Sequence, residues 1–511
     1  MADNNNHMLA KDSLLQGRAS GVLLHLSSLP SGHGIGDMGA AAYTFADRLV
    51  AAGQKYWQIL PLNPSNPVSG ESPYFSSSAF AGNPLLIDLL ALQHEGLLAA
   101  EECLPPDGLP STAVDFDRVR AFKLQCLATA AQRFQQRGLP EDFYQFCNEH
   151  RFWLQDYCLF TLIQGLHPGQ SWCEWPQSLR DRDPDALAAQ SAEHEQALIL
   201  ERIIQYFFFR QWQQLKDYCN RKGLVIFGDM PIYVSYESAD VWANTRYFKL
   251  DGDCRPTMVS GVPPDYFSAT GQLWNNPVYN WEALQADNFQ WWLQRMGALF
   301  ERFDIVRIDH FRGLVQFWEV PAGEPTAIHG EWQPVPTYPF FDALKAAFPH
   351  FPVVVEDLGI ITPDVVEVKD HYQLPGMLIL QFAFGDDDTN PYLPANHIAN
   401  ALVYLGSHDN TTGRHWLAQL DAQSRRRLRD CLPQTGEPGV EDVIALVLSS
   451  VADIAIVTAQ DVLNLDGSAR MNDPAVMTGN WKWRLSDEQL NALTLEHLAQ
   501  LTRETGRWYG D

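Results

Sequence analysis

Apolar positions along the chain recur in short runs, many rich in β-branched residues and carrying polar or ionisable residues at or near their ends. Eight such runs stand out: Gly21–Leu26, Tyr56–Leu62, Leu224–Tyr233, Phe303–His310, Phe351–Leu358, Gly376–Ala383, Ala401–Asp409 and Asp453–Val462. Runs of this length without polar alternation read as strands buried on both faces, and most are separated by helix-length stretches, as parallel strands with helical crossovers require. Eight such units predict an α/β chain closed into a (β/α)8, or TIM, barrel, whose active residues collect at the C-terminal ends of the strands. Asp229, Asp309, Glu356 and Asp409 all lie at or near the ends of these runs.

Between the second and third runs the chain is too long for one crossover. Helical periodicity recurs there around Thr112–Arg137, Asp142–Gly165 and Asp185–Arg221, which predicts a mostly helical insertion over roughly 85–220. The spacers near 235–290 and 311–347 are rich in Gly, Pro and aromatic residues and are expected to form long loops over the barrel mouth. With no tandem repeat or flexible linker, residues 1–511 read as one catalytic barrel with insertions.

The alternation within FDIVRIDHFRG sends Arg307 and Asp309 to one side of a strand and Val306 and Ile308 to the other. A guanidinium beside a carboxylate favours the ionised acid, which suits a nucleophile, although a structural ion pair would look the same. In FPVVVEDLG, Glu356 ends an interior strand. Partial loss of water there raises a carboxyl pKa, as a general acid requires. Adjacent Asp357 points the other way and reads as a helix cap or supporting hydrogen bonder. ALVYLGSHDN packs Ser407, His408, Asp409 and Asn410 behind an apolar run, a density of hydrogen-bonding groups that can grip sugar hydroxyls. Asp229, in LVIFGDMPIYV, reads equally as a buried partner of an arginine and as a substrate contact.

A net charge of -26 repels phosphate backbones and anionic lipid, so neither nucleic acid nor membrane is an expected partner. A neutral ligand is indifferent to that field. The 16 Trp, 17 Tyr and 27 Phe suit flat sugar faces, though most such rings belong to the core. Eight scattered cysteines show neither metal spacing nor a disulfide framework, and the polar start lacks an apolar signal segment, so a cytoplasmic protein with reduced thiols is expected. There is no P-loop and no GxGxxG after a strand, and neither a metal nor a cofactor is implied.

Taken together, SGVLLHLSSLPSGHGIGDMG, GQKYWQILPLNP, SPYFSSSAFAGNPLLID, GDMPIYVSYESADVW, SGVPPDYFSATGQLWNNPVY, VRIDHFRG, VVVEDLG, GSHDNTT and RMNDPAVMTGNWKWR resemble the amylomaltase, or disproportionating-enzyme, family of 4-α-glucanotransferases. That family belongs with the α-amylase-like glycosidase barrels, and the likeness runs nearly end to end. It implies Asp309 as nucleophile, Glu356 as general acid then base, and Asp409 as stabiliser of the transition state. It further implies Arg307 and His408 at the bond-breaking subsite, Tyr74 stacked on its sugar, and Asp229 in support. Tyr266, Phe267 and Trp274 would touch the glucan from a loop over the groove. The implied partners are an α-glucan donor and a glucose or maltooligosaccharide acceptor; no protein partner is suggested. The stretch NPSNPVSGESPYF departs from the family's compact turn and carries Phe75 where Gln is usual. Two rivals stand beside transfer: an α-amylase-like retaining hydrolase on the same barrel, and a silent glucan-binding scaffold.

Overall fold

In the computed structural model, residues 14–264, 268–385, 387–433, 436–476, 478–493 and 495–510 are described. The strands are Ala19–Leu23 (β1), Tyr56–Gln58 (β2), Val225–Met230 (β3), Ile305–Ile308 (β4), Val353–Val355 (β5), Gly376–Ile379 (β6), Ala401–Tyr404 (β7) and Ile454–Thr458 (β8). They form one parallel sheet in the spatial order β6-β7-β8-β1-β2-β3-β4-β5. The expected barrel is the architecture found.

The two ends of that sheet meet at a seam held by different means. Val355 N–H donates to Pro375 O at 2.9 Å, and Met377 N–H donates to Asp357 Oδ1 at 2.8 Å. The other oxygen of Asp357 pairs with Lys369 Nζ at 2.7 Å. Asp357 is thus the supporting hydrogen bonder of the two roles its position suggested. Gly376 is required beside it, because a Cβ there would land on the Asp357 carboxylate.

Period-two alternation sorts the strand residues between two cores. Val225 and Phe227, Ile305, Val354, Ile379, Leu402 and Ile454 point inward and fill the barrel. Ile226, Val306, Val353 and Val355 point outward against the helices. Continuing the inward series past the apolar filling places Asp229, Arg307, Asp309 and Glu356 at the C-terminal mouth. Each buried Val, Ile, Leu or Phe contributes about 1.5–3 kcal/mol, so the filling beneath the mouth is a rigid floor.

Helices occupy much of the segment between β2 and β3. Phe116–Gln136 starts from an Asp115 cap, where the carboxylate accepts the Arg118 N–H at 3.3 Å. Glu195–Arg221 buries Ile204, Phe208, Trp212, Leu215 and Cys219, a spacing of three to four residues that makes one apolar stripe. Two glutamines on that stripe tie it to the chain leaving β2. Gln205 binds the amide and carbonyl of Gly82 at 2.8 and 3.1 Å, and Gln211 those of Asp88 at 2.8 and 3.0 Å.

The spacers expected to be long loops over the mouth instead pair with each other. Gln272–Pro277, Met258–Val262, Gln316–Pro321 and Glu331–Pro334 form, in that spatial order, a four-stranded antiparallel sheet. Its strands are short and carry Gly, Pro and a register shift between Val259 and Gly261, so no clean alternation advertised it. Among the described residues, β6 and β7 are linked by 3-10 turns at Leu380–Phe382 and Pro394–Asn396 rather than by an α-helix. No helix among the described residues is long and apolar enough to cross a membrane, and all eight cysteines are free.

Candidate active site

Adjacent strands set the first three acids. Asp229 and Arg307 face each other across the β3–β4 ladder. Asp309 follows β4 directly, with its N–H donating to Met230 O at 3.0 Å, and Glu356 follows β5 directly, with its N–H donating to Ile308 O at 2.9 Å. The ladder that builds the barrel therefore also places the acids. Arg307 forks between two carboxylates, Nη1 to Asp229 Oδ2 at 2.6 Å and Nη2 to Asp309 Oδ1 at 2.8 Å. Asp229 is fully buried, which makes it the arginine's partner, whereas the Asp309 side chain is 30% exposed at the mouth. Although burial opposes the charge on Arg307, Asp229 and Asp309 together hold the guanidinium protonated well beyond its ordinary range. The second oxygen of Asp309 is not held by the arginine, so it is free to approach a ligand.

Glu356 has the opposite setting. Burial, reinforced by the negative charge of Asp309, pushes its carboxyl up to about 8, against the pull of Arg307 and two backbone N–H groups. Those groups are His310 N–H to Oε2 at 2.7 Å and Leu358 N–H to Oε1 at 2.9 Å. To aim its N–H at Glu356, His310 adopts the left-handed conformation, φ 54° and ψ 54°, at a cost of about 1–2 kcal/mol for a residue with a Cβ. Backbone strain beside a carboxylate of raised pKa at a strand end is a mark of a working site. The His310 ring, which burial keeps neutral with a pKa lowered to about 4, meets the ring of Trp274 edge-on at 4.8 Å.

Asp409 arrives by a different route, five residues beyond the end of β7. Its carboxylate accepts Asn472 Nδ2 at 2.6 Å and lies 3.3 Å from His408 Nε2. The same His408 nitrogen is 2.9 Å from Tyr74 Oη, and Tyr74 donates its one hydrogen to Asp229 Oδ2 at 2.6 Å. The histidine is therefore the donor in its bond to Tyr74 Oη. Tyr74 and His408 stack with ring centres 5.3 Å apart and planes 11° from parallel, and Trp481 packs against both at 5.7 and 6.0 Å. One chain of contacts thus crosses the mouth from Asp409 through His408, Tyr74, Asp229 and Arg307 to Asp309.

Trp274 lies half-buried on the edge strand of the antiparallel sheet, against His310 and Tyr233. Tyr266 and Phe267, the other two residues expected on the groove loop, lie outside the described residues. Sequence reasoning gave no role to His310, Arg470 or Asn472. The signal for the last two was RMNDPAVMTGNWKWR, a polar, aromatic stretch after β8 with neither helix nor strand period. Among the described residues His33, Asp37 and Asp88 form a group with spacing that suits a metal, but the Lys123 ammonium stands 3.5 Å from Asp37 Oδ2 and supplies the positive charge there.

A family model described as 4-alpha-glucanotransferase matches residues 24–491. A 4-alpha-glucanotransferase of Synechocystis is 44% identical over 97% of this chain and 99% of its own length. One from Thermus thermophilus is 42% identical over 95% of this chain and 97% of its own. Among solved structures, an amylomaltase from Streptococcus agalactiae in complex with acarbose superposes with a TM-score of 0.92 at 35% identity, covering 96% of this chain and all of that one.

Proposed function

Because this chain belongs to the 4-alpha-glucanotransferase family and is an enzyme that transfers α-1,4-glucan, we propose that Asp309 is its nucleophile, Glu356 its acid and base, and Asp409 its transition-state stabiliser. The observation that carries this reading is the pair of contrasting settings on adjacent strands. Arg307 holds one oxygen of Asp309, while burial and the neighbouring charge push Glu356 up to about 8. Two carboxyl groups in such contrasting settings divide into nucleophile and acid, and a retaining enzyme places them roughly 5–5.5 Å apart.

In the first step Glu356 gives its proton to the glycosidic oxygen as the free oxygen of Asp309 attacks the anomeric carbon. The C–O bond breaks, the reducing-end fragment leaves with that proton, and a glucosyl ester forms on Asp309. Loss of its proton leaves Glu356 ready to take one from the 4-hydroxyl of an incoming glucose or maltooligosaccharide. That oxygen attacks the same carbon, and two inversions restore the α-configuration. Asp409 accepts hydrogen bonds from sugar hydroxyls that sharpen as positive charge develops on the ring, stabilising the transition state more than the bound substrate. Arg307 holds the Asp309 carboxylate, His408 stands beside that of Asp409 at the bond-breaking subsite, Asp229 anchors Arg307 and Tyr74, and the Tyr74 and Trp274 rings offer apolar faces to the glucan. Tyr266 and Phe267 are proposed chain contacts on sequence grounds. The free thiols suit a reducing compartment, and the cytoplasm is the proposed location.

The test is incubation with maltotriose while product lengths and total reducing ends are followed. Glucose plus longer maltooligosaccharides at constant reducing ends is the expected result. Rising reducing ends without longer products would overturn transfer in favour of hydrolysis, and no turnover of maltotriose or amylose would leave a glucan-binding scaffold.

A further inference from the structure

Asp309 and Glu356 are each placed by the barrel ladder, since each N–H bonds the preceding strand. Asp409 has no such support. It lies on a loop beyond β7, and among the described residues its own N–H reaches Ser407 Oγ, two residues back, at 3.3 Å. What holds it comes from the segment after β8. Asn472 Nδ2 grips the carboxylate at 2.6 Å, and Asn472 N–H donates to His408 O at 3.1 Å. Arg470 joins the two segments: Nη2 donates to Asp409 O at 2.7 Å and Nε to Asn472 O at 2.7 Å. The remaining Nη1 lies 3.1 Å from Asp473 Oδ2, and the side chain is 29% exposed.

We propose that Arg470 is a positioning residue for the transferase reaction, its guanidinium fixing in one rigid fork both the main chain of Asp409 and the asparagine that orients the Asp409 carboxylate. The proposal rests on the reading of Asp409 as transition-state stabiliser. A planar fork is what the geometry uses, because two carbonyls from different segments are met by two nitrogens of one plane; a lysine ammonium has the charge without that plane. Displacement of a group that acts in the transition state lowers kcat and spares KM, and a shift of about 1 Å costs on the order of a hundredfold.

The experiment compares wild type, Arg470→Lys, Arg470→Ala, Asp409→Asn and the double variant Asp409→Asn/Arg470→Ala, with melting temperatures as the folding control. The donor is α-maltosyl fluoride and the acceptor maltotriose; fluoride leaves without a proton from Glu356, which keeps the slow variants measurable. Arg470→Lys is expected to lower kcat about 10- to 100-fold with KM within about twofold, and Arg470→Ala at least as much. In the Asp409→Asn background, loss of Arg470 is expected to add less than about threefold, because its route of action is already gone. A purely structural role would leave the two effects multiplying. Arg470→Lys with wild-type kcat, a rise confined to KM, or full multiplication in the double variant would each overturn the proposal while Asp409→Asn remains impaired. Undiminished kcat in Asp409→Asn would overturn the role of Asp409 as well. Should Arg470→Ala not fold, Arg470→Lys alone and within Asp409→Asn gives the same comparison.

Discussion

Two groups of buried charge in this molecule have similar ingredients and opposite character. At the barrel mouth, Arg307 lies between Asp229 and Asp309 at 2.6 and 2.8 Å. Behind the β1 loop, Lys123 stands 3.5 Å from Asp37, with His33 and Asp88 beside them. Burial opposes both cations. Two carboxylates bonded by a rigid fork overcome it and hold Arg307 above its ordinary range, whereas at Lys123 burial outweighs Asp37 and Asp88 and holds the ammonium below its own. Exposure separates them further: the Lys123 and Asp37 side chains are 0% and 6% exposed, while Asp309 is 30% exposed. A perturbed buried charge marks a place where removal is costly. It becomes a site when one member of the cluster opens onto solvent at a strand end with an oxygen to spare.

That contrast breaks most directly at the proposed nucleophile. Asp309→Asn is expected to lower kcat/KM for maltotriose roughly ten-thousandfold or more with a nearly unchanged melting curve, read from product analysis beside thermal unfolding. Lys123→Met should do the reverse. Two acids lose their buried cation, so unfolding in denaturant should show a loss of about 3–5 kcal/mol while kcat per folded molecule stays within about twofold. A fall in kcat matching that of Asp309→Asn would erase the distinction between the clusters.

The pH profile sharpens the comparison from within the mouth. Glu356, the proposed acid, can act only while protonated, and its carboxyl is pushed up to about 8. Above that pH, kcat/KM should fall about tenfold per unit, whereas an acid with its ordinary value near 4.5 would have lost its proton long before. A basic limb centred near 5 would contradict this setting. The smallest effect is expected at a third ion pair, Lys369 with Asp357 at 2.7 Å, which closes the barrel seam. Gly376→Ala pushes a methyl into that carboxylate. It should cost about 1–3 kcal/mol in thermal or denaturant unfolding, with activity following only the loss of folded protein.

How much of this was legible follows from where periodicity exists. The eight strands announced themselves because both faces are buried; alternation set Arg307 and Asp309 on one side of their strand, and the apolar run before Glu356 marked an interior strand ending in that carboxyl. The same rule turned Asp357 away from the mouth. Arg470 and Asn472 gave no such signal, since they act from an irregular segment whose contacts with Asp409 depend on tertiary placement. The antiparallel sheet escaped for a related reason: Gly261 lies within one short strand, Pro277 and Pro321 end two others, and the partners come from two separate spacers. The connection between β6 and β7 folds into 3-10 turns where a helix is the rule, and its 394–396 stretch is punctuated by Pro394.

The most direct test of the central claim is to trap the covalent intermediate. Glu356→Gln keeps the proposed nucleophile but removes the base proposed to resolve the ester, so incubation with α-maltosyl fluoride and no acceptor, followed by intact-mass and peptide mass analysis, should show one added maltosyl group on the peptide at Asp309. A maltosyl group on Asp229 or Asp409, or steady consumption of the donor with no adduct, would contradict the assignment of Asp309 as nucleophile.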